Sequence, residues 1–179
     1  MLRLFTGIAL PVLLRQRLSL LGGGIAGAAW VARENFHLTL SFIGEVDEGA
    51  AEDLDMAFDA LRAKKFSLRL KGTGSFAEGS HLKSLWVGVE PCAALNVLKD
   101  KIDRVLQTSR IPVDKRNYLP HVTLARLKHA DEAKIAGFMQ GHNLFSTEEF
   151  PVEEFTLFES HLTKHGASYA ALKEYPLVS

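Results

Sequence analysis

The chain has 179 residues, and 47% of them are hydrophobic, including 11 Phe and 2 Trp; this is enough to build a core in one domain or in two small fused lobes. Its formal net charge is zero. A protein that binds long duplexes by their phosphates normally carries a surplus of positive charge, so the composition argues against that class of protein. Cys92 is the only cysteine, which excludes an intramolecular disulfide and a cysteine-rich zinc site.

The N-terminal region predicts a strand followed by a helix. Residues 3–10 alternate in hydrophobicity with a period of two, which is typical of a strand. Pro11 then suits the first turn of a helix over residues 12–21, and a glycine run at residues 22–24 ends that helix. The run lacks the Lys-Ser/Thr pair of a phosphate-binding loop, so we interpret it as a connector.

The same region lacks the character of a membrane or export segment. Arg15, Gln16 and Arg17 interrupt the apolar stretch over residues 12–25, so we expect that it does not span a bilayer. The alternating start of the chain is too short and too polar for the hydrophobic part of a signal peptide. We therefore expect a cytoplasmic protein that makes no membrane contact and acts as a monomer.

The rest of the chain presents one order of elements twice. The first half has a strand at His37-Leu38-Thr39-Leu40, a helix that begins at Asp47-Glu48 and a strand over residues 66–71. The second half has strands over residues 85–90, at Pro120-His121-Val122-Thr123-Leu124, and over 150–160 and 168–175, with helices over 93–108 and from Asp131-Glu132.

The two halves also match in spacing. An Asp-Glu pair begins ten residues after each of His37 and His121, and a proline follows the first strand of each half, at Pro11 and Pro91. We interpret this as a duplication. It predicts an α+β, two-lobed domain with a pseudo-twofold axis, in which antiparallel sheets line a central cleft and helices lie outside.

These elements are expected to form a single domain over residues 1–179. Its two lobes are predicted at roughly residues 1–80 and 81–179, and strands can be exchanged between them.

The repeated His-x-Thr pattern predicts a catalytic site. Residues i and i+2 of a strand point to one face, so His37 shares a face with Thr39, and His121 with Thr123. If the halves pack face to face, two imidazoles and two hydroxyls surround a volume suited to a cyclic phosphodiester. One neutral imidazole can then deprotonate water, while the other, protonated, supplies a proton to the departing ribose oxygen. The hydroxyls can hold the non-bridging oxygens.

The motifs have two other possible interpretations. A single His-x-Thr-Leu in a strand is usually structural, but two copies at matching points favour catalysis. A two-histidine metal site would need a third ligand. No Asp or Glu lies inside either motif, and Glu34 and Glu45 flank only the first. We therefore expect neither a metal nor another cofactor.

At these residues the sequence resembles the 2H phosphoesterase superfamily, which is named for two His-x-Thr/Ser-x motifs. Within it, the chain is most similar to the LigT-like RNA 2′,3′-cyclic phosphodiesterases, once called 2′-5′ RNA ligases. The resemblance implies an RNA-processing hydrolase that opens 2′,3′-cyclic phosphate ends to 2′-phosphomonoesters, with His37 as proton donor and His121 as acceptor. It runs almost end to end, through residues 3–11, 35–46, 85–89, 120–126 and 157–172.

Other residues near the motifs are candidates for substrate binding. Strict alternation places Arg126 on the face opposite His121, so only a twist or bulge would bring it to the phosphate; the family resemblance favours that contact. Lys115 and Arg116 could meet the RNA backbone or form a solvated basic turn. Tyr118 and Phe42 are predicted to stack on a terminal base, although core or rim packing is the alternative for both.

Several further residues are interpreted as structural. Trp86, in an apolar strand, is expected in the core. The remaining histidines fall in predicted loops or strand ends and are interpreted as surface residues: His81, His129, His142, His161 and His165.

The sequence leaves three functional alternatives open. RNA 2′-5′ ligation is the reverse chemistry at the same site. The substrate could be a small cyclic nucleotide or an ADP-ribose cyclic phosphate instead of an RNA end. A non-catalytic RNA-end binding module could use the same fold, although binding alone would not require two titratable groups.

Overall fold

The computed structural model describes residues 1–164 and 166–179, so His165 lies outside the described residues. Its strands pair antiparallel in two four-stranded sheets and one two-stranded sheet. The elements in chain order are β1 (Leu2–Ala9), α1 (Val12–Ser19), β2 (Ala28–Trp30), a 3-10 turn (Arg33–Asn35), β3 (His37–Val46), α2 (Glu48–Ala60), β4 (Phe66–Leu68), β5 (Leu70–Glu78), β6 (His81–Val89), α3 (Ala93–Thr108), β7 (His121–Leu127), α4 (Glu132–Gly141), β8 (Phe150–Val152), β9 (Glu154–Thr163) and β10 (Gly166–Pro176).

Each half of the chain contributes strands to the sheet of the other half. The first sheet has the order β10-β9-β1-β3, so β9 and β10 join two strands from the start of the chain. The second sheet has the order β2-β7-β6-β5, and β2 and β5 come from the first half. The sheets therefore do not divide the chain at one point near residue 80. The limits of the two predicted lobes stay a prediction.

The helices α2 and α4 begin in the same way, as their Asp-Glu sequences predict. The Asp47 carboxylate accepts a hydrogen bond from the Ala50 amide, and the Asp131 carboxylate accepts from the amides of Ala133 and Lys134. Each aspartate thus satisfies amides that the first helical turn would leave unpaired.

The strands differ from the sequence pattern in four places. The strand expected over residues 66–71 is two strands, because the chain leaves its pairing with β8 after Leu68 and joins β6 from Leu70. The strand expected over 150–160 is likewise divided into β8 and β9. The three-residue β2 and the far end of β5 were not predicted; β5 contains Gly72 and Gly74, which weaken a strand signal.

The apolar core lies behind the two motif strands, between the sheets and the helices. Leu38 and Leu40 are 0% and 2% exposed, and Val122 and Leu124 are 0% and 1% exposed. These residues anchor each motif strand in the core, which confirms the predicted alternation. Within the described residues, the helices are all too short or too polar to cross a membrane.

Candidate active site

The two histidine motifs lie on strands that contact each other although they belong to different sheets. β3 is the edge strand of the first sheet, and β7 lies in the second. The first seven residues of both strands have the same order of burial: the histidine and the threonine are half-buried and alternate with buried leucine or valine, and the sixth residue is exposed. The matching patterns are what the predicted pseudo-twofold relation requires.

Both motif strands contain a β-bulge at the same position. Along β3, Thr39 pairs with Gly7 but Ser41 pairs with Thr6, so Leu40 is an extra residue. Along β7, the same shift leaves Leu124 without a partner opposite β6. A bulge reverses the alternation beyond it.

The bulges bring the exposed sixth residue of each strand, Phe42 or Arg126, back to the face of the histidine. Strict alternation, which would place Arg126 on the opposite face, is therefore wrong for this strand. Contact between Arg126 and a phosphate stays a prediction.

His37 is held at both ring nitrogens. Its Nδ1 lies 2.7 Å from the main-chain oxygen of Asn35, and its Nε2 lies 3.1 Å from the Thr39 hydroxyl. A carbonyl oxygen only accepts, so Nδ1 carries the proton and the Nε2 of the neutral ring is the basic atom. The imidazole rests on three aromatic rings with centroid distances of 4.9, 5.7 and 4.9 Å, those of Phe5, Phe158 and Tyr169.

His121 repeats this arrangement. Its Nδ1 lies 2.7 Å from the main-chain oxygen of Leu119, again two residues before the histidine. Its ring meets Phe76 edge-on at 4.8 Å and lies 5.9 Å from Trp86. Within residues 1–164 and 166–179, no protein group hydrogen-bonds the His121 Nε2, which leaves that atom available to a substrate.

Trp86 is not in the core, contrary to the sequence-based expectation. Its neighbours Leu85 and Val87 are fully buried, whereas Trp86 is half-buried and lies on the other face of β6 with His121. The indole packs over Gly74, where any Cβ would lie within 2.3 Å of the ring. Trp86 therefore forms part of the aromatic support of His121, a role that its alternation with Leu85 and Val87 could have indicated.

The environment lowers the pKa of both histidines. Burial has the largest effect on the His37 pKa, which the positive charges of His121 and Arg126 lower further while the Asn35 carbonyl opposes the change. Burial also lowers the His121 pKa, against the Leu119 carbonyl. His121 and Arg126 thus act electrostatically on His37 from the other motif strand, which contacts β3.

The predicted binding residues have different surroundings. Phe42 is 68% exposed at the cleft edge, with its ring 6.2 Å from that of Phe5, so its face is open to a base. The Tyr118 hydroxyl donates to the main-chain oxygen of Thr39 at 2.9 Å, and the Lys99 ammonium lies 5.2 Å from the centroid of its ring. These contacts favour a structural role for Tyr118, and base stacking on it stays a prediction.

Residues beyond the motifs are mostly engaged elsewhere. Arg116 forms a two-pronged ion pair with Asp114, as expected for a solvated turn. His161 lies 3.3 Å from a Glu159 carboxylate oxygen. His142 is half-buried at the end of α4, where its ring stacks on Phe138 and its Nδ1 bonds the Phe138 carbonyl, so it is packed more closely than the sequence predicts.

The chain is similar to known proteins over most of its length. The model of the 2′-5′ RNA ligase superfamily matches residues 23–164 of the chain. An RNA 2′,3′-cyclic phosphodiesterase from Aeropyrum pernix is 34% identical over 154 residues, which cover 83% of this chain and 86% of that protein. Another from Methanocaldococcus jannaschii is 27% identical across 97% of this chain and 100% of its own length. The crystal structure of Escherichia coli LigT complexed with 3′-AMP matches 99% of both chains with a TM-score of 0.82 and 26% identity.

Proposed function

Because the chain belongs to the 2′-5′ RNA ligase superfamily, we propose that it hydrolyses the 2′,3′-cyclic phosphate ends of RNA to 2′-phosphomonoesters. Its relatives from A. pernix and M. jannaschii are named as enzymes of this activity. The observation that carries the proposal is the paired geometry of His37 and His121. Each ring bonds through Nδ1 to the carbonyl two residues before it, which makes Nε2 the reactive atom of both.

The two imidazoles have complementary tasks in this reaction. His121 Nε2 removes a proton from water as the water oxygen bonds to phosphorus, and the bond from phosphorus to the ribose 3′ oxygen breaks. His37 Nε2, protonated, transfers its proton to that oxygen and leaves a 3′ hydroxyl and a 2′ phosphate. His121 suits the role of base because no protein group occupies its Nε2 within the described residues.

The cyclic phosphate would be held by groups on both motif strands. The hydroxyls of Thr39 and Thr123 donate to the non-bridging oxygens, and the Arg126 guanidinium offsets the charge that develops on them. Phe42 is open for stacking against the terminal base. This arrangement confines RNA contact to one end, which is consistent with a net charge of zero.

Incubating the purified protein with an oligonucleotide that ends in a 2′,3′-cyclic phosphate tests the proposal directly. The expected product carries a 2′ phosphate and a 3′ hydroxyl, which is resolved by mass and by its resistance to 3′-specific phosphatases. Adding a second RNA with a 5′ hydroxyl would reveal ligation as a longer product. Binding of the oligonucleotide without turnover would contradict hydrolysis and indicate a binding module.

Turnover is expected to be unchanged in the presence of a chelator such as EDTA. The acid–base pair needs no Lewis acid, because the Thr123 hydroxyl, the Arg126 guanidinium and, once His37 Nε2 is protonated, the Thr39 hydroxyl can donate to the phosphate oxygens. The measurement is the initial rate with and without prior dialysis against chelator. Loss of activity that one added divalent metal restores would contradict metal-independent catalysis.

The pH profile of kcat/KM is expected to be a bell with its centre below the ordinary imidazole pKa of about 6.5. Burial lowers the pKa of both histidines in the free enzyme. In the active state one ring is protonated and the other is neutral. This state is lost above the higher and below the lower pKa of the pair, so lowering both pKa values moves both limbs of the bell to more acidic pH. These apparent values belong to the pair and not to either ring.

Thr123→Val provides the control for this profile, since it should lower the height of the bell without moving its limbs. The profile of kcat should lie at higher pH than that of kcat/KM, because an anionic substrate stabilises protonated imidazole. A rate that rises steadily into alkaline solution would instead indicate hydroxide or a metal-bound water as the nucleophile.

A further inference from the structure

A buried polar cluster lies directly behind the first motif strand. It consists of Lys99 and Asp103 of α3, Ser41 of β3, and Tyr118. The Asp103 carboxylate accepts a hydrogen bond from the Ser41 hydroxyl at 2.6 Å and forms an ion pair with Lys99. The side chains of Lys99 and Asp103 are only 10% and 17% exposed.

Stability alone is a weak reason for this cluster. Removing two charges from water has a cost that their mutual attraction only partly offsets, and a well-packed apolar pair often stabilises such a contact equally well. The ion pair makes geometric demands that an apolar pair does not.

On one side the cluster holds the bulge of β3. Ser41 follows the bulged residue Leu40. The Thr6 side chain donates to the Ser41 carbonyl at 3.3 Å and accepts from the Ser41 amide at 3.2 Å, while Asp103 binds the Ser41 hydroxyl. Three side-chain hydrogen bonds thus fix the residue that follows the bulge, two positions after Thr39.

The second motif strand forms the same bulge without such contacts. The residues that match Ser41 and Thr6 are Ala125 of β7 and Leu85 of β6, which pair with each other and are both 0% exposed. Apolar packing is therefore sufficient for the bulge itself. The polar cluster behind β3 must serve something that the β7 side does not need.

On its other side the cluster reaches the segment that leads into the second motif. Lys99 lies over the ring of Tyr118, three residues before His121, and the Tyr118 hydroxyl donates to the Thr39 carbonyl. β3 and β7 belong to different sheets, so no ladder of main-chain hydrogen bonds sets their separation. Tyr118 bridges this gap, because it bonds Thr39 of β3 directly and contacts Lys99, which Asp103 connects to Ser41 of β3.

We propose that Lys99 and Asp103 are positioning residues, which fix the first histidine motif relative to the second through Ser41 and Tyr118. The inference rests on the proposed function, because an acid and a base that act on one phosphorus atom require a set separation. Misplacement by about 1 Å can lower a rate on the order of 10²-fold. Neither Lys99 nor Asp103 touches the reacting atoms.

The double variant Lys99→Met/Asp103→Leu separates positioning from stability. We expect a Tm close to that of the wild type, because an apolar pair replaces the ion pair. We expect kcat to fall about ten-fold and KM to change less than about three-fold, because the histidines shift relative to each other. Ser41→Ala, which removes only the hydroxyl contact to Asp103, should lower kcat in the same direction and serves if the double variant folds poorly.

Tyr175→Phe is the matched control. It removes a tyrosine hydroxyl that donates to Asp55 at 2.8 Å in the core behind the first sheet, so it should lower Tm and leave kcat unchanged. If kcat of the double variant and of Ser41→Ala stays within about two-fold of the wild type, the proposal is overturned.

Imidazole NMR signals of His37 and His121 give a readout that does not depend on turnover. In Ser41→Ala both sets of signals and their titration should shift, whereas in Tyr175→Phe they should not. Unchanged histidine signals in Ser41→Ala would overturn the positioning role. A wild-type protein that hydrolyses no cyclic phosphate would instead contradict the proposed function, and the NMR comparison would still decide the role of the cluster.

Discussion

Replacing either His37 or His121 with alanine is expected to lower kcat/KM for a 2′,3′-cyclic-phosphate-ended oligonucleotide by at least about 10²-fold. Each substitution removes one proton-transfer step and leaves the strand intact, because the histidines are only half-buried and their neighbours Leu38 and Val122 anchor the strands. The measurement is steady-state turnover together with circular dichroism. The fold should be unchanged.

The His37→Ala/His121→Ala double variant should be little slower than either single variant, because the effects of losing an acid and a base that act in one transition state are not additive. His129→Asn is the control: it removes an exposed histidine of the second half, and asparagine tolerates the positive φ of 52° found there. Its turnover should equal that of the wild type. Near-normal activity in either His37→Ala or His121→Ala, with an intact fold, would contradict the proposed two-histidine mechanism.

Replacing Arg126 with alanine is expected to lower kcat/KM by about 10²–10³-fold, the usual cost of one preorganised donor to a developing negative charge. The bulge at Leu124 turns Arg126 to the cleft, where its charge also lowers the His37 pKa. Its removal should therefore raise that pKa and move the alkaline limb of the kcat/KM profile to higher pH.

Arg126→Lys and Phe42→Ala complete the test. Lysine keeps the charge but not the paired donors, so it should recover only part of the rate and restore the position of the limb. Phe42 occupies the matching position of the other strand without a charge, so Phe42→Ala should leave the limbs in place. An Arg126→Ala enzyme with wild-type turnover would show that the guanidinium does not reach the phosphate.

The parts of the structure that depend on local pattern could be predicted from the sequence. The alternation around His37 and His121, the aspartate caps of α2 and α4 and the span of α3 are each set by residues close in the chain. The duplication became visible because both halves keep the same spacing. The sequence predicts that the two His-x-Thr motifs face each other, because they lie at matching points of that repeat.

The parts that depend on pairing between distant strands could not be predicted. A bulge is fixed by the register of two strands, so the sequence around Arg126 alone does not reveal which face the guanidinium takes. The aromatic rings under His37 come from β1, β9 and β10, and only the tertiary fold brings Phe158 and Tyr169 there. The polar cluster of Asp103 and Ser41 joins residues 62 positions apart and has no sequence signature.

The exchange of strands between the two halves governs how the chain can fold. β1, at the very start of the chain, pairs along one edge with β3 but along the other with β9, so its sheet stays incomplete until residues 154–163 are available. Such long-range pairing raises contact order and slows folding, since the entropy of closing long loops is lost before the contacts that compensate for it can form. One edge of β1 thus stays unpaired until β9, in the second half of the chain, has been synthesised. During synthesis on the ribosome, that edge is open to pairing with other chains, which favours aggregation.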